Sequence, residues 1–216
     1  MAGLFISLEG VEGAGKTTLI QKMVAYFGCC GKEVLLTREP GGSELGKKLR
    51  GIILNAEEKI CPTAELLLFL ADRAEHTETC IAPALAQGKI VLCDRFIDST
   101  VAYQGYGRGM DIDRLNMLNA LATNDLKPDL TILLDLDPEI GLARATARNI
   151  AQNLTVSEGR FEAEALEFHQ KIRTGFLTIS RREKRFLVVN AAQDADAVFA
   201  DVLKALERLL EKKESE

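Results

Sequence analysis

Gly10-Val11-Glu12-Gly13-Ala14-Gly15-Lys16-Thr17 fits the pattern GxxxxGK[ST], and its two flanks give the stretch its meaning. The apolar run at 4–8 predicts a strand before it. Leu19, Ile20, Met23, Val24 and Phe27 recur at one-turn spacing, which predicts a helix after it. A glycine-rich turn between strand and helix can curl so that successive N–H groups converge on phosphate oxygens, with the positive end of the helix behind them. The stretch from Gly10 to Thr17, with Thr18 next to it, is therefore the predicted phosphate cradle. Lys16 supplies charge against the transferring phosphates, and the Thr17 hydroxyl is placed to reach Mg²⁺. An ordinary glycine-rich turn is the bland alternative, which the two flanks disfavour.

Working outward, apolar β-branched runs at 34–37, 90–93, 130–135 and 186–190 alternate with helical periods. The periods include Leu115, Leu118 and Leu121, and later Val198, Val202, Leu206 and Leu209. This alternation predicts an α/β fold in which a parallel sheet is covered by helices on both faces. The length of 216 residues suits a single domain, 1–216, and 47% hydrophobic residues can fill a large core, which excludes a disordered chain. A net charge of −5 offers no footprint for a nucleic-acid backbone. The longest apolar runs fall far short of the roughly 20 residues that cross a bilayer. No basic segment precedes an apolar one at the start, so no membrane association and a cytoplasmic location are expected. Cys29, Cys30, Cys61, Cys80 and Cys93 form no CxxC pair, and their odd number reads as reduced thiols. The adjacent Cys29 and Cys30 have oxidant sensing as an alternative to plain packing.

Other residues point to what meets the phosphates. Asp94-Arg95-Phe96 closes the third predicted strand at the edge where parallel sheets bind ligands. Asp94 there can hold Mg²⁺ through water, and Arg95 can clamp a phosphate with two parallel hydrogen bonds; a surface ion pair is the alternative. Phe69 and Arg73 are four apart in a predicted helix at 64–76, so a ring and a cation share one face and suit a planar base. A core Phe beside a solvated Arg would give the same spacing. Ser99, Thr100, Tyr103 and Gln104 bring hydroxyl and amide groups at helical spacing, suited to a base edge and a sugar. Arg38-Glu39-Pro40-Gly41-Gly42-Ser43 predicts a turn whose Ser caps the next helix. A polar stretch at 147–159 lies near Arg144, Arg148 and Arg160, so 144–160 is a predicted mobile lid, with a solvated basic face as the alternative. His76 and His169 fit no metal-ligand spacing and read as structural.

Taken together, Leu8-Glu9-Gly10-Val11-Glu12-Gly13-Ala14-Gly15-Lys16-Thr17-Thr18, Thr37-Arg38-Glu39-Pro40-Gly41-Gly42, Asp94-Arg95-Phe96 and Ala102-Tyr103-Gln104-Gly105 resemble bacterial thymidylate kinases, P-loop nucleoside monophosphate kinases. The likeness runs over about 4–176. It implies a five-stranded parallel sheet of P-loop NTPase type with a short lid, a homodimer, and Mg²⁺-dependent phosphoryl transfer from ATP to dTMP. It also implies roles: Phe69 stacking on thymine, Arg73 at the base edge, Thr100 supporting base recognition and Gln104 in the same substrate pocket. Arg95 with Arg38 would hold the acceptor phosphate, Glu12 would approach the 3′-hydroxyl, and Tyr103 would crowd the 2′ position. Some thymidylate kinases carry an Arg where this chain has Gly13, so the missing charge is expected from Arg144 or Arg148, with Arg148 favoured. Lys16 and Arg95 complete the expected catalytic cations. A kinase for another nucleotide or a deoxynucleoside, or a non-catalytic nucleotide-binding module, remains the alternative. A guanine-reading Asn-Lys-x-Asp motif, which a regulatory GTPase needs, does not occur.

Overall fold

Among the described residues five strands form one parallel sheet: β1 (Leu4–Gly10), β2 (Val34–Arg38), β3 (Ile90–Asp94), β4 (Leu130–Asp135) and β5 (Phe186–Asn190). Their order is β2-β3-β1-β4-β5. The structure, a computed structural model, describes residues 3–54, 60–151, 161 and 164–215. Each strand falls on an apolar run of the sequence, and the register sets the carboxyl ends abreast. Arg38 pairs with Asp94, Leu8 with Asp94, and Gly10 with Leu134. The residues that follow β1, β2 and β3 therefore open onto one edge.

Alternation along β1 explains why both faces are covered. Leu4, Ile6 and Leu8 belong to a core with Leu19, Ile20, Met23 and Phe27 of α1 (Lys16–Cys29). The same core takes Phe168, Ile172 and Phe176 of α8 (Leu166–Arg182) and Val198, Val202 and Leu206 of α9 (Ala195–Ser215). Phe5 faces the other way, into a cluster with Ile81, Ala84, Val91, Cys93, Phe96 and Ile97. Burial of each such side chain contributes about 1.5–3 kcal/mol, so the sheet is fixed from two sides.

The turn after β2 leads into α2 (Glu44–Leu54), where Ser43 Oγ accepts from the Gly46 N–H at 2.9 Å, the cap the sequence predicts. Pro62 opens α3 (Pro62–His76), which runs through a π-helical turn, Thr77–Ile81, into the short α4 (Ala82–Ala86). After β3, α5 (Ile97–Thr100) is followed by a second π segment, Val101–Gly107. Ordinary helical spacing from Ser99 to Gln104 is thus corrected: the wider turn re-aims Tyr103 and Gln104. In α6 (Ile112–Thr123) Leu115 is buried but Leu121 is 77% exposed. Steps of three residues drift by about 60° each on an α-helix, so Leu121 points about 120° away from Leu115.

α7 (Pro138–Ala151) contains Arg144 and Arg148, so the first half of the expected lid is regular helix. The rest of it, 152–160, with Arg160 and Glu162, lies outside the described residues. Among the described residues no helix is long and apolar enough to cross a membrane. All five cysteines are free thiols, and Cys29 and Cys30 are exposed at the end of α1.

Candidate active site

The turn between β1 and α1 takes its shape from three glycines with positive φ: Gly10 at 143°, Gly13 at 68° and Gly15 at 93°. In the left-handed region a side chain costs about 1–2 kcal/mol, which glycine avoids. Lys16 folds back under the turn, its Nζ donating to the Gly10 and Val11 carbonyls, both at 3.2 Å. Burial and the nearby Arg95 charge lower its pKa to about 8, against the opposing pull of Asp94, Glu12 and Glu9. A bound phosphate adds negative charge there and favours the ammonium form. A β-carbon at Gly13 would lie 2.0 Å from the Gly141 carbonyl oxygen, and one at Gly141 would lie 2.3 Å from that of Glu12. α7 therefore presses backbone to backbone on the phosphate loop and leaves no room for an arginine at position 13.

Arg95 is the second organising residue, and its φ of 72° is rare for a residue with a side chain. Its Nη1 donates to the Gly10 carbonyl (3.1 Å) and Ser99 Oγ (3.3 Å), its Nη2 to Glu12 Oε1 (3.1 Å). The guanidinium stacks 5.0 Å from the centre of the Tyr103 ring. Tyr103 in turn donates its hydroxyl to Glu12 Oε1 at 2.5 Å. Strain at Arg95 is offset by these bonds, which aim a fixed cation at the loop. Beneath it the buried Glu9 accepts from the Phe96 N–H (2.8 Å) and from Ser99 Oγ (2.6 Å). Burial and the Asp98 carboxylate push Glu9 up to about 7, although Arg95 and its two hydrogen bonds oppose the rise.

The base side is built from four separate stretches of chain. Arg73 is 2% exposed: Nε donates to Glu39 Oε2 (2.8 Å), Nη1 to Thr100 Oγ1 and Asn119 Oδ1 (both 2.7 Å), and Nη2 to the Phe96 carbonyl (3.1 Å). Glu39 also meets His76 Nδ1 at 3.0 Å. The guanidinium is thus largely committed inside the protein, and a base contact from it requires exchange of an internal partner. Gln104 Nε2 donates to Glu65 Oε1 at 3.0 Å, which turns the amide carbonyl the other way.

One cavity of about 900 Å³ unites these parts. It is lined by residues 12–18 of the loop, Arg38, Phe69, Arg73, Asp94, Arg95, Thr100, Tyr103, Gln104, Arg144 and Arg148. Gly10 and Val11 stand behind it and hold Lys16 through their carbonyls. A family model described as thymidylate kinase matches residues 8–202. The chain belongs to the thymidylate kinase family. It is 51% identical over 209 residues to the thymidylate kinase of Nitratidesulfovibrio vulgaris (strain DSM 19637 / Miyazaki F), a match covering 96% of this chain and 97% of that relative. It is 52% identical over 196 residues to the thymidylate kinase of Geotalea daltonii, covering 90% and 92%. The crystal structure of thymidylate kinase from Ehrlichia chaffeensis superposes with a TM-score of 0.77 at 35% identity, over 96% of this chain and 99% of that one.

Several groups of the site had no local signal in the sequence. Glu39 and Asn119 hold Arg73 from β2's end and from α6. Ser99, which the sequence groups with the base-edge and sugar hydroxyls, has its Oγ between Arg95 and Glu9, and Glu9 carried no signal of that role. His169, which the sequence reads as structural, sits against Glu12. A carboxylate or histidine far along the chain carries no mark of its partner until the sheet order brings the two together.

Proposed function

We propose that this enzyme transfers the γ-phosphoryl group of ATP to dTMP, giving dTDP and ADP, by alignment and charge neutralisation within the cavity of about 900 Å³. The observation that carries this reading is the convergence of the phosphate loop, Arg95 and the Phe69–Thr100–Tyr103 wall on that one space. The acceptor is already an oxyanion, so the protein needs no strong base. Its task is to hold two mutually repelling anions in line. Lys16 and the loop amides take the donor phosphates, while Arg95 with Arg38 takes the acceptor phosphate. Phe69 stacks on thymine, with Thr100, Gln104 and Arg73 along the base edge. Glu12 accepts the 3′-hydroxyl and the Tyr103 ring fills the space beside the 2′ carbon.

The residues present fit Mg²⁺: Asp94 Oδ1 is buried with no hydrogen-bond partner among the described residues, and Thr17 lines the same cavity. Hard oxygen donors of this kind suit the ion. Thr17 and Asp94 would hold it, and when bound it offsets charge on the phosphates. Arg144 and Arg148, on one face of α7, supply the charge that Gly13 lacks when the lid at 144–160 closes, and closure excludes water. Arg144 and Arg148 both line the cavity, and Arg148, nearer the end of α7, is the favoured lid cation.

The same reading extends to a single domain over 1–216 and to a homodimer. Ile52, Leu67, Met117 and Leu121 are more than half exposed on α2, α3 and α6, which pack side by side, and a second copy would cover them. The free thiols fit the cytoplasm, and the net charge of −5 speaks against a nucleic-acid partner. A coupled assay with ATP and a panel of monophosphates tests the substrate: dTMP should outpace dCMP, dGMP and dAMP. dUMP should follow with a loss of about 1 kcal/mol for its missing methyl. Faster turnover of dCMP at matched concentration overturns the base assignment.

A further inference from the structure

His169 on α8 is fully buried, and its Nδ1 lies 3.2 Å from Glu12 Oε2. Among the described residues neither ring nitrogen nor Glu12 Oε2 has a hydrogen-bond partner, so the two groups stand in contact without a completed hydrogen bond. The other carboxylate oxygen is fully used, since Glu12 Oε1 takes both Arg95 Nη2 and the Tyr103 hydroxyl. A carboxylate held at one oxygen still pivots about it, so the second oxygen needs its own holder. We propose that His169 is a positioning residue for the sugar subsite: its Nδ1–H, given to Glu12 Oε2, fixes the carboxylate so that the remaining lone pair accepts the substrate 3′-hydroxyl.

This assignment rests on the reading of Glu12 as the group that meets that hydroxyl. The helix that carries His169 is well anchored. Phe168 beside it packs edge-on against Tyr103, and α8 lies along the Val101–Gly107 segment. In the Nδ1–H tautomer the imidazole is neutral, so it orients Glu12 without competing with Arg95 for its charge. Glu12 is held at about 2 although burial pushes it up, because the His169 contact, the Arg95 charge and the Tyr103 hydroxyl outweigh burial. It is therefore an ionised acceptor at neutral pH.

The test is the ratio of kcat/KM for dTMP to that for its 3′-deoxy analogue. In His169→Leu the ratio should fall by about tenfold, a change no merely structural role produces, because a general loss of packing lowers both substrates alike. His169→Asn, whose amide nitrogen stands where Nδ1 stood, should restore most of the ratio, and His169→Gln should not. Glu12→Gln serves as the reference and should also lower the ratio. If Glu12→Gln lowers it and His169→Leu leaves it unchanged, the positioning role is overturned while the sugar reading stands. If Glu12→Gln leaves it unchanged, the sugar reading falls and the His169 role with it. Should the variants fail to fold, the ¹⁵N spectrum of the wild-type protein decides, since the chain has two histidines and His76→Gln assigns them. A protonated Nδ1 and bare Nε2 at His169 support the role, and the reverse tautomer overturns it.

Discussion

Replacing Gly13 by alanine tests the contact that shapes the phosphate loop. At φ 68° an alanine costs about 1–2 kcal/mol. Its β-carbon would also stand 2.0 Å from the Gly141 carbonyl oxygen, a backbone atom that no rotamer change can move aside. α7 must then shift, at the price of overpacking, about 1–3 kcal/mol. Together these give a destabilisation of about 2–5 kcal/mol. For a chain of this size the Tm falls by about 2–4 °C per kcal/mol, so a drop of roughly 5–20 °C is expected in a thermal melt. Gly141→Ala meets the same contact from the other side, 2.3 Å from the Glu12 carbonyl, but within a helix. There the gain in helix propensity of about 1 kcal/mol offsets part of the clash, so this variant should lose less. Once α7 has moved for one methyl group, the second is cheaper, and the double variant should fall short of additivity by about 0.5–3 kcal/mol. A Gly13→Ala protein within about 0.5 kcal/mol of the parent, or strict additivity of the pair, refutes the backbone contact as the reason for glycine at position 13.

Arg148→Ala should lower kcat by roughly 10³-fold with little change in the KM for dTMP, because its contact forms chiefly in the transition state; near-normal kcat in both Arg148→Ala and Arg144→Ala places these residues on a solvated face. Tyr103→Phe keeps the ring packed on Phe161, Phe168 and Phe176 and should keep most of the discrimination against ribothymidine monophosphate. Equal use of ribo and deoxy substrates by that variant would refute steric exclusion. Glu9, raised from 4.5 to about 7, binds its proton more tightly folded than unfolded, so its contribution to stability falls as pH rises from about 4.5 to about 7. The change is on the order of 3 kcal/mol. Urea unfolding of Glu9→Gln should show that slope flattened, and a slope like the parent's would show that Glu9 titrates elsewhere.

What the sequence determined by itself was local. The GxxxxGK[ST] turn, its flanking strand and helix, and the other four strand runs follow from spacing and burial pattern, since backbone conformation depends on neighbours within a few residues. The same holds for Phe69 and Arg73 on one face of α3, and for Ser43 as a cap. Tertiary structure alone decided what those groups touch. The order β2-β3-β1-β4-β5 sets Arg38 beside Asp94 and closes α7 onto the phosphate loop, so Gly13 and Gly141 meet across most of the chain. It also gathers Glu39, Thr100 and Asn119 around Arg73, so that the cation expected at the base edge is at the same time a buried hub. The widening of the helix at Val101–Gly107 and the approach of His169 to Glu12 belong to the same class. A side chain's partners are chosen by packing between elements remote in sequence, and spacing along one element carries no record of that choice.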